Sequence, residues 1–184
     1  MTDPATRTAD RIDFLLSLRA TRSFTGDPVP DAALRDILEV ARRSGSAMNR
    51  QPWRLIVIQD RAVLDRLAAV NPYAGHLASA PLAIALVMDG DMDTEETWDE
   101  GRVSERIMLA AAAHGLGSCI GWFVEDGHDD AAKALLGVPA ERTLRTAISI
   151  GYPAPETKTA RPKRGRKSLA EIASLGRYDG PSPA

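Results

Sequence analysis

A chain of 184 residues with 44% hydrophobic and 26% charged side chains has the make-up of one folded domain with a sizeable core. Its net charge of -2 argues against general attraction to nucleic acid or membranes, and no apolar run approaches the roughly 20 residues needed to cross a bilayer. The single cysteine, Cys119, excludes an internal disulfide and any cysteine-rich metal site and suggests a reducing compartment, so the cytoplasm is the expected location.

Residues 1–9 are polar and charged, and are expected to be mobile rather than a leader segment. Arg11 to Leu18 reads as a first helix, with Ile12, Leu15, Leu16 and Leu18 along its apolar stripe. The segment that follows, to Phe24, carries Arg19 and Arg22, which near a helix end either favour the negative end of its dipole or face solvent. Asp31 after Pro30 is placed as a helix cap, and Leu34, Ile37, Leu38 and Ala41 bury one face of Asp31 to Arg43. Then comes Ser44 to Trp53, S-G-S-A-M-N-R-Q-P-W, before a strand from Trp53 to Gln59. Gly45 reaches conformations closed to other residues. Ser46, Asn49 and Gln51 offer donors and acceptors, and Pro52 is expected to keep Gln51 extended. A polar loop between two rigid elements is where function tends to gather, although composition alone also fits a plain helix-to-strand connection.

Asp60 caps the next helix, with Val63, Leu64 and Leu67 inward, and Asn71 to Gly75 breaks it. Leu82 to Met88 is a near-continuous apolar run, the pattern of a fully covered central strand. Asp89 to Asp99 reads as an acidic, flexible stretch. It lacks the spacing and glycine of a calcium loop, so no metal is expected there. A long helix is predicted from Trp98 to about His114, with Val103, Ile107, Leu109, Ala110 and Ala113 on it; its alanines suit close packing in a core or a dimer. Gly115 to Phe123, G-L-G-S-C-I-G-W-F, imitates a dinucleotide glycine fingerprint. The last spacing is one residue too long and a helix precedes it, so a glycine-ended helix followed by a strand is the better account. Cys119 falls in that strand as a small core residue. Asp129 or Asp130 opens a helix to Leu136 that Gly137 stops, and Thr143 to Ile150 is strand-like. Beyond Pro153 the chain turns basic, with R-P-K-R-G-R-K at 161–167 reading either as a solvated tail or as an anion site. His76, His114 and His128 show no zinc-type pairing, and no serine-histidine-aspartate arrangement follows from their order.

Several of these stretches, in order, resemble the nitroreductase family, flavoenzymes that bind FMN between two subunits. S-A-M-N-R-Q-P-W is similar to the family's P-S-x-x-N-x-Q-P-W, with Gly45 in place of the proline. Leu18 to Phe24, before Pro28-Val29-Pro30, resembles R-R-S-x-R-x-F. It keeps Arg19, Arg22 and Phe24 but has Leu18 and Ala20 at the first arginine and the serine. Glu105 and Arg106 replace a Q-N pair often found in the long helix. Gly115 to Gly121 resembles a glycine-rich segment whose backbone passes the flavin edge, and L-G-V-P with I-G-Y-P-A is a further pairing. Arg164 and Arg166, before Ser168-Leu169-Ala170-Glu171, are similar to a late basic segment that returns to the FMN phosphate.

The resemblance implies an α+β sandwich, a mainly antiparallel sheet flanked by helices, as one domain over residues 1–184 in a homodimer with two FMN sites. Composition and periodicity by themselves support only mixed helix and strand content. The implied cofactor-binding residues are Arg19, Ala20, Arg22, Ser46, Ala47, Met48, Asn49, Gln51, Ile120, Gly121, Trp122, Arg164 and Arg166. Backbone N–H near Gly121 or Trp122 is expected at the reactive ring nitrogen, and Arg22 at the ring's carbonyl edge. The implied activity needs no protein nucleophile and no metal: an electron pair passes from NADH or NADPH through FMN to a small oxidant, such as a nitroaromatic or quinone, with ping-pong kinetics. Dehalogenation, cleavage of reduced flavin and a non-catalytic flavin-binding role are the alternatives. A nucleic-acid-binding role for the basic tail predicts salt-sensitive binding and runs against the acidic balance.

Overall fold

Two apolar surfaces closing on one sheet organise the chain. The computed structural model describes residues 4–124, 126–155 and 165–183. Strands β1 (Trp53–Ile58), β2 (Leu82–Met88), β3 (Gly117–Trp122) and β4 (Thr143–Gly151) lie in the order β1-β2-β4-β3, each neighbouring pair antiparallel. Every residue of β2 is buried. Period-two alternation divides its contacts. Leu82, Ile84 and Leu86, with Ile148 and Ile150, meet α2 (Asp31–Arg42) and α4 (Asp93–Ala113). Ala83, Ala85 and Val87, with Leu144 and Ala147, meet α3 (Arg61–Val70), a 3-10 helical turn at Pro72–Ser79, and α5 (His128–Leu136). Each fully buried Leu or Ile contributes about 1.5–3 kcal/mol. The result is the α+β sandwich that the resemblance implied, with helices on both faces of the sheet.

Local chemistry explains most boundaries. The Asp60 carboxylate accepts the Val63 N–H at 3.1 Å and starts α3. The Asn71 side chain accepts the Tyr73 N–H at 2.8 Å, turning the expected break into the 3-10 turn. Gly127 and Gly137 flank α5 with φ of +77° and +65°, so that helix opens at His128, one residue before Asp129. A short helix, α6 (Leu169–Ile172), carries a capping box between Ser168 and Glu171.

Four expectations need correction. Helix α1 (Pro4–Ser17) begins well before Arg11, inside the stretch read as mobile. Its apolar stripe stays open among the described residues: Ile12, Leu15 and Leu16 are 50%, 49% and 66% exposed. Asp31 is the first residue of α2, not its cap; Pro30 holds that place with no side-chain cap bond. The acidic stretch is not a flexible loop, because α4 starts at Asp93 and buries Glu96, Asp99 and Glu100. Each buried carboxylate has partners, local ones for Glu96 and distant ones for Asp99 and Glu100. Glu96 accepts the N–H groups of Gly90, Asp91 and Met92 at 2.9, 3.1 and 3.3 Å. Glu100 accepts Arg145 at 2.9 Å and the Thr146 hydroxyl at 2.7 Å, both from β4, and Arg145 also pairs with Asp93. Burial raises the Glu100 carboxyl above its ordinary range, against the pull of Thr146 and Arg145.

Candidate functional site

The loop between α2 and β1 is tied from both sides. The Ala47 N–H donates to the buried carboxylate of Asp99 at 3.0 Å. Inside the loop, the Gln51 N–H donates to Ser46 Oγ at 2.8 Å and the Asn49 N–H to the Ser46 carbonyl at 3.1 Å. These bonds hold three non-glycine residues in the left-handed region: Met48, Asn49 and Gln51 have φ of +49°, +55° and +53°. The extended Gln51 expected before Pro52 is therefore overruled by its bond to Ser46. Left-handed backbone of this kind costs on the order of 1–3 kcal/mol per residue and concentrates at ligand sites. Met48, Asn49, Arg50 and Gln51 are all exposed. Gly45 allows Arg102 to lie over the loop, since a Cβ there would sit 2.4 Å from the guanidinium.

A second group forms on the far edge of the sheet. Ala20 pairs with Ser118 in a parallel bridge, the Thr21 N–H donates to the Ser118 carbonyl at 2.9 Å, and Phe24 bridges to Pro153. Gly117 makes this approach possible, because its Cβ would fall 2.5 Å from that of Thr21. The segment after α1 thus lies beside β3, and Arg22 lines an open groove of about 930 Å³ with Tyr73, His76, Ile120 and Trp122. Arg19 bends back instead, donating to the carbonyls of Leu16 at 2.8 Å and Leu18 at 2.6 Å at the end of α1.

Hydrogen-bond alternation fixes what β3 offers. The Ser118 carbonyl points to the outer edge and the Phe123 N–H donates to Arg145 on β4 at 2.9 Å. In an antiparallel strand the N–H and C=O of one residue point the same way and alternate along the chain. The amides of Ile120 and Trp122 therefore face the open edge, and that of Gly121 faces β4.

His76 is the site residue that spacing alone did not mark. Its Nε2 lies 3.2 Å from the Ile120 carbonyl and its Nδ1 2.8 Å from Ser149 Oγ, which is 3.2 Å from the Cys119 carbonyl. Burial lowers its affinity for a proton, the Ile120 carbonyl pulls the other way, and the Arg22 charge lowers it again. Burial raises the Cys119 thiol, in keeping with a core role.

One chain does not bring the two groups together. The groove lined by Arg22, Ile120 and Trp122 includes none of Ser46 to Gln51. β1 and β3 are opposite edges of the sheet, three inter-strand steps or about 14 Å apart. Arg166 is exposed just before α6, and Arg164 lies outside the described residues. A third, more apolar depression of about 810 Å³ runs over α2 and α4, with Val40, Trp98 and Leu109 beside Arg102, Glu105 and Arg106. Among the described residues, no helix is long and apolar enough to cross a membrane.

Comparison with known proteins finds relatives of the same fold. The profile of the Nitroreductase family matches residues 16–71, which hold both Arg19 to Phe24 and the strained loop. A protein of Archaeoglobus fulgidus provisionally named NADH dehydrogenase/NAD(P)H nitroreductase is 29% identical over 150 residues, spanning 79% of this chain and 86% of its own. The 5,6-dimethylbenzimidazole synthase of Rhodospirillum rubrum is 29% identical over 187 residues, with 84% and 86% covered. Among solved structures, an FMN-dependent nitroreductase of Clostridium difficile superposes with a TM-score of 0.74 at 28% identity, covering 82% of this chain and 91% of that one. Fold and candidate site together define an α+β sandwich with a strained polar loop at one edge of its sheet and an arginine-bearing segment along the other. By these comparisons the chain is similar to the nitroreductase family in fold and in the segment that carries Arg19 to Trp53.

Proposed function

We propose that this chain acts as a homodimer, holds FMN at the subunit boundary, and uses it as an NAD(P)H-dependent oxidoreductase in the cytoplasm to reduce a small oxidant. The observation that carries this reading is the split site. Arg22 with the open edge of β3 forms one half, the strained loop of Ser46 to Gln51 the other, and a twofold pairing of chains supplies the missing half to each.

The residues present suit an FMN. Its flat ring calls for backbone donors at an open edge, which Ile120 and Trp122 have, and for a cation at its carbonyl edge, which Arg22 provides. When bound, FMN supplies the electron chemistry, accepting an electron pair from NADH or NADPH and releasing it to the oxidant. Arg22 stabilises negative charge at the pyrimidine edge, and the Trp122 N–H orients the ring. Ser46, Asn49 and Gln51 of the partner position the ring and ribityl chain from a loop already fixed by Asp99. Arg19 keeps donors beyond the two it spends on Leu16 and Leu18, and with Arg166 and Arg164 it supports the phosphate. With a bound flavin to hold the electrons between half-reactions, donor and oxidant would bind in turn, which gives ping-pong kinetics; nitroaromatics and quinones are the oxidants to try first.

The absorption spectrum of the purified protein comes first, then anaerobic mixing with NADH and NADPH in parallel. Bleaching within seconds is the expected result, whereas bound flavin that stays yellow points to a non-catalytic role. The similarity to a 5,6-dimethylbenzimidazole synthase supports a second reading, in which flavin is consumed rather than recycled. Loss of total flavin during aerobic turnover distinguishes it.

A further inference from the structure

The 3-10 turn at Pro72–Ser79 does more than cover the sheet. It places an imidazole against the one strand whose open amides face the groove. The Ile120 carbonyl can only accept, so His76 Nε2 carries a hydrogen and donates to it over 3.2 Å. Along that edge the Ile120 carbonyl and the Trp122 N–H are adjacent, so the ring stands next to the amide that the flavin reading needs. On its other side, Nδ1 meets Ser149 Oγ at 2.8 Å, and the same hydroxyl is 3.2 Å from the Cys119 carbonyl. Ser149 has one proton for two acceptors. With His76 neutral, Ser149 donates to Nδ1 and the Cys119 carbonyl loses that bond. When Nδ1 takes a proton from solvent it donates to Ser149, whose hydroxyl then turns to Cys119.

We propose that His76 is a positioning residue for the open edge of β3, and that its protonation, relayed by Ser149, sets how firmly that edge is held and so how tightly FMN is bound. The second half rests on the flavoprotein reading above; the first does not. The groups around His76 are Arg22 from the segment after α1, Cys119 on β3, Arg61 of α3, and on its own turn Tyr73, whose backbone carbonyl also accepts from the ring and favours its proton. Arg61 is occupied by Asp65 and by the carbonyls of Leu77 and Ala80. Burial opposes the proton most and the Arg22 charge adds to it, so the change falls below the ordinary histidine value of 6.5. The protonated ring satisfies both carbonyls at once and adds a positive charge beside Arg22, and both effects favour an electron-rich ligand.

The experiment uses the full chain as purified, as wild type, His76→Gln and His76→Ala. Amide resonances of Gly121 and Trp122 are followed by proton–nitrogen NMR from pH 5 to pH 8, and flavin release on dilution is followed by fluorescence. In the wild type these amides are expected to titrate together with the His76 ring, and FMN to bind about threefold tighter at the acid end. Glutamine keeps a donor for Ile120 but does not titrate, so His76→Gln should retain the affinity and lose its pH dependence. His76→Ala should release FMN about tenfold more readily, the size of one lost hydrogen bond. Amides that ignore the ring, or a His76→Gln profile as steep as wild type, would overturn the proposal. If the wild type holds no flavin at all, the flavoprotein reading fails, while the amide titration still decides whether His76 governs the strand.

Discussion

Arg145 is 8% exposed and lies between Glu100 and Asp93, with Thr146 completing the bonds to Glu100. Burying charge is costly unless it is paired, and breaking one partner of such a pair typically costs about 3–5 kcal/mol. Arg145→Met should therefore lower the unfolding free energy by roughly that amount in urea titrations, and combining it with Glu100→Leu should recover much of the loss. Two single losses that simply add would show that the pair does not act as a unit. Asp99 has a different part, since it holds the Ala47 N–H and so the strained loop. Asp99→Leu is expected to weaken FMN about tenfold, the scale of one charge-assisted hydrogen bond, as read by fluorescence on dilution. None of these pairings was legible in the sequence. A run of acidic residues reads as solvated until the fold supplies Arg145 from β4, 45 residues beyond Glu100. Gln51 shows the same limit, because the proline rule predicts an extended residue and a single bond to Ser46 overrides it.

Among the elements, β2 was the plainest to read, since a strand covered on both faces must be apolar throughout. Helices α2 and α3 followed from apolar spacing, and Asp60 at the start of α3 and Gly137 at the end of α5 marked boundaries by rules that need only neighbouring residues. Helix α1 was recognisable as a helix but not in its role. Its stripe of Ile12, Leu15 and Leu16 faces outward, and on α4 Trp98 is 76% exposed. Exposed apolar surface on two helices suits a partner chain. Changing Leu15 and Leu16 together to Glu should leave far-UV circular dichroism unaltered, because neither is buried among the described residues. Sedimentation should move from dimer to monomer, and flavin should be lost with it. A dimer that survives the double change would place the interface elsewhere.

At the scale of the whole molecule, the antiparallel order β1-β2-β4-β3 separates the two proposed halves of the site by the width of the sheet. If each site joins Arg22 of one subunit to Asn49 of the other, Arg22→Ala and Asn49→Ala homodimers should both be nearly flavin-free. Subunit exchange between them should restore about one intact site per mixed dimer, since one of its two sites then carries neither change. Flavin bound per chain, measured by absorbance after exchange, tests this; no recovery would mean that both groups serve the same site within one chain. The family resemblance was readable because its motifs are short local runs: a turn that needs glycine, a proline after a polar loop, arginines at a helix end. Those depend on the backbone preferences and side-chain chemistry of adjacent residues, so the linear order was sufficient to determine them. What only the tertiary structure decided were the partners of the buried charges, the left-handed loop, the contact of His76 with β3, and the placing of two halves on opposite edges. Each joins residues far apart in sequence, and their proximity exists only once the apolar faces have closed on the sheet.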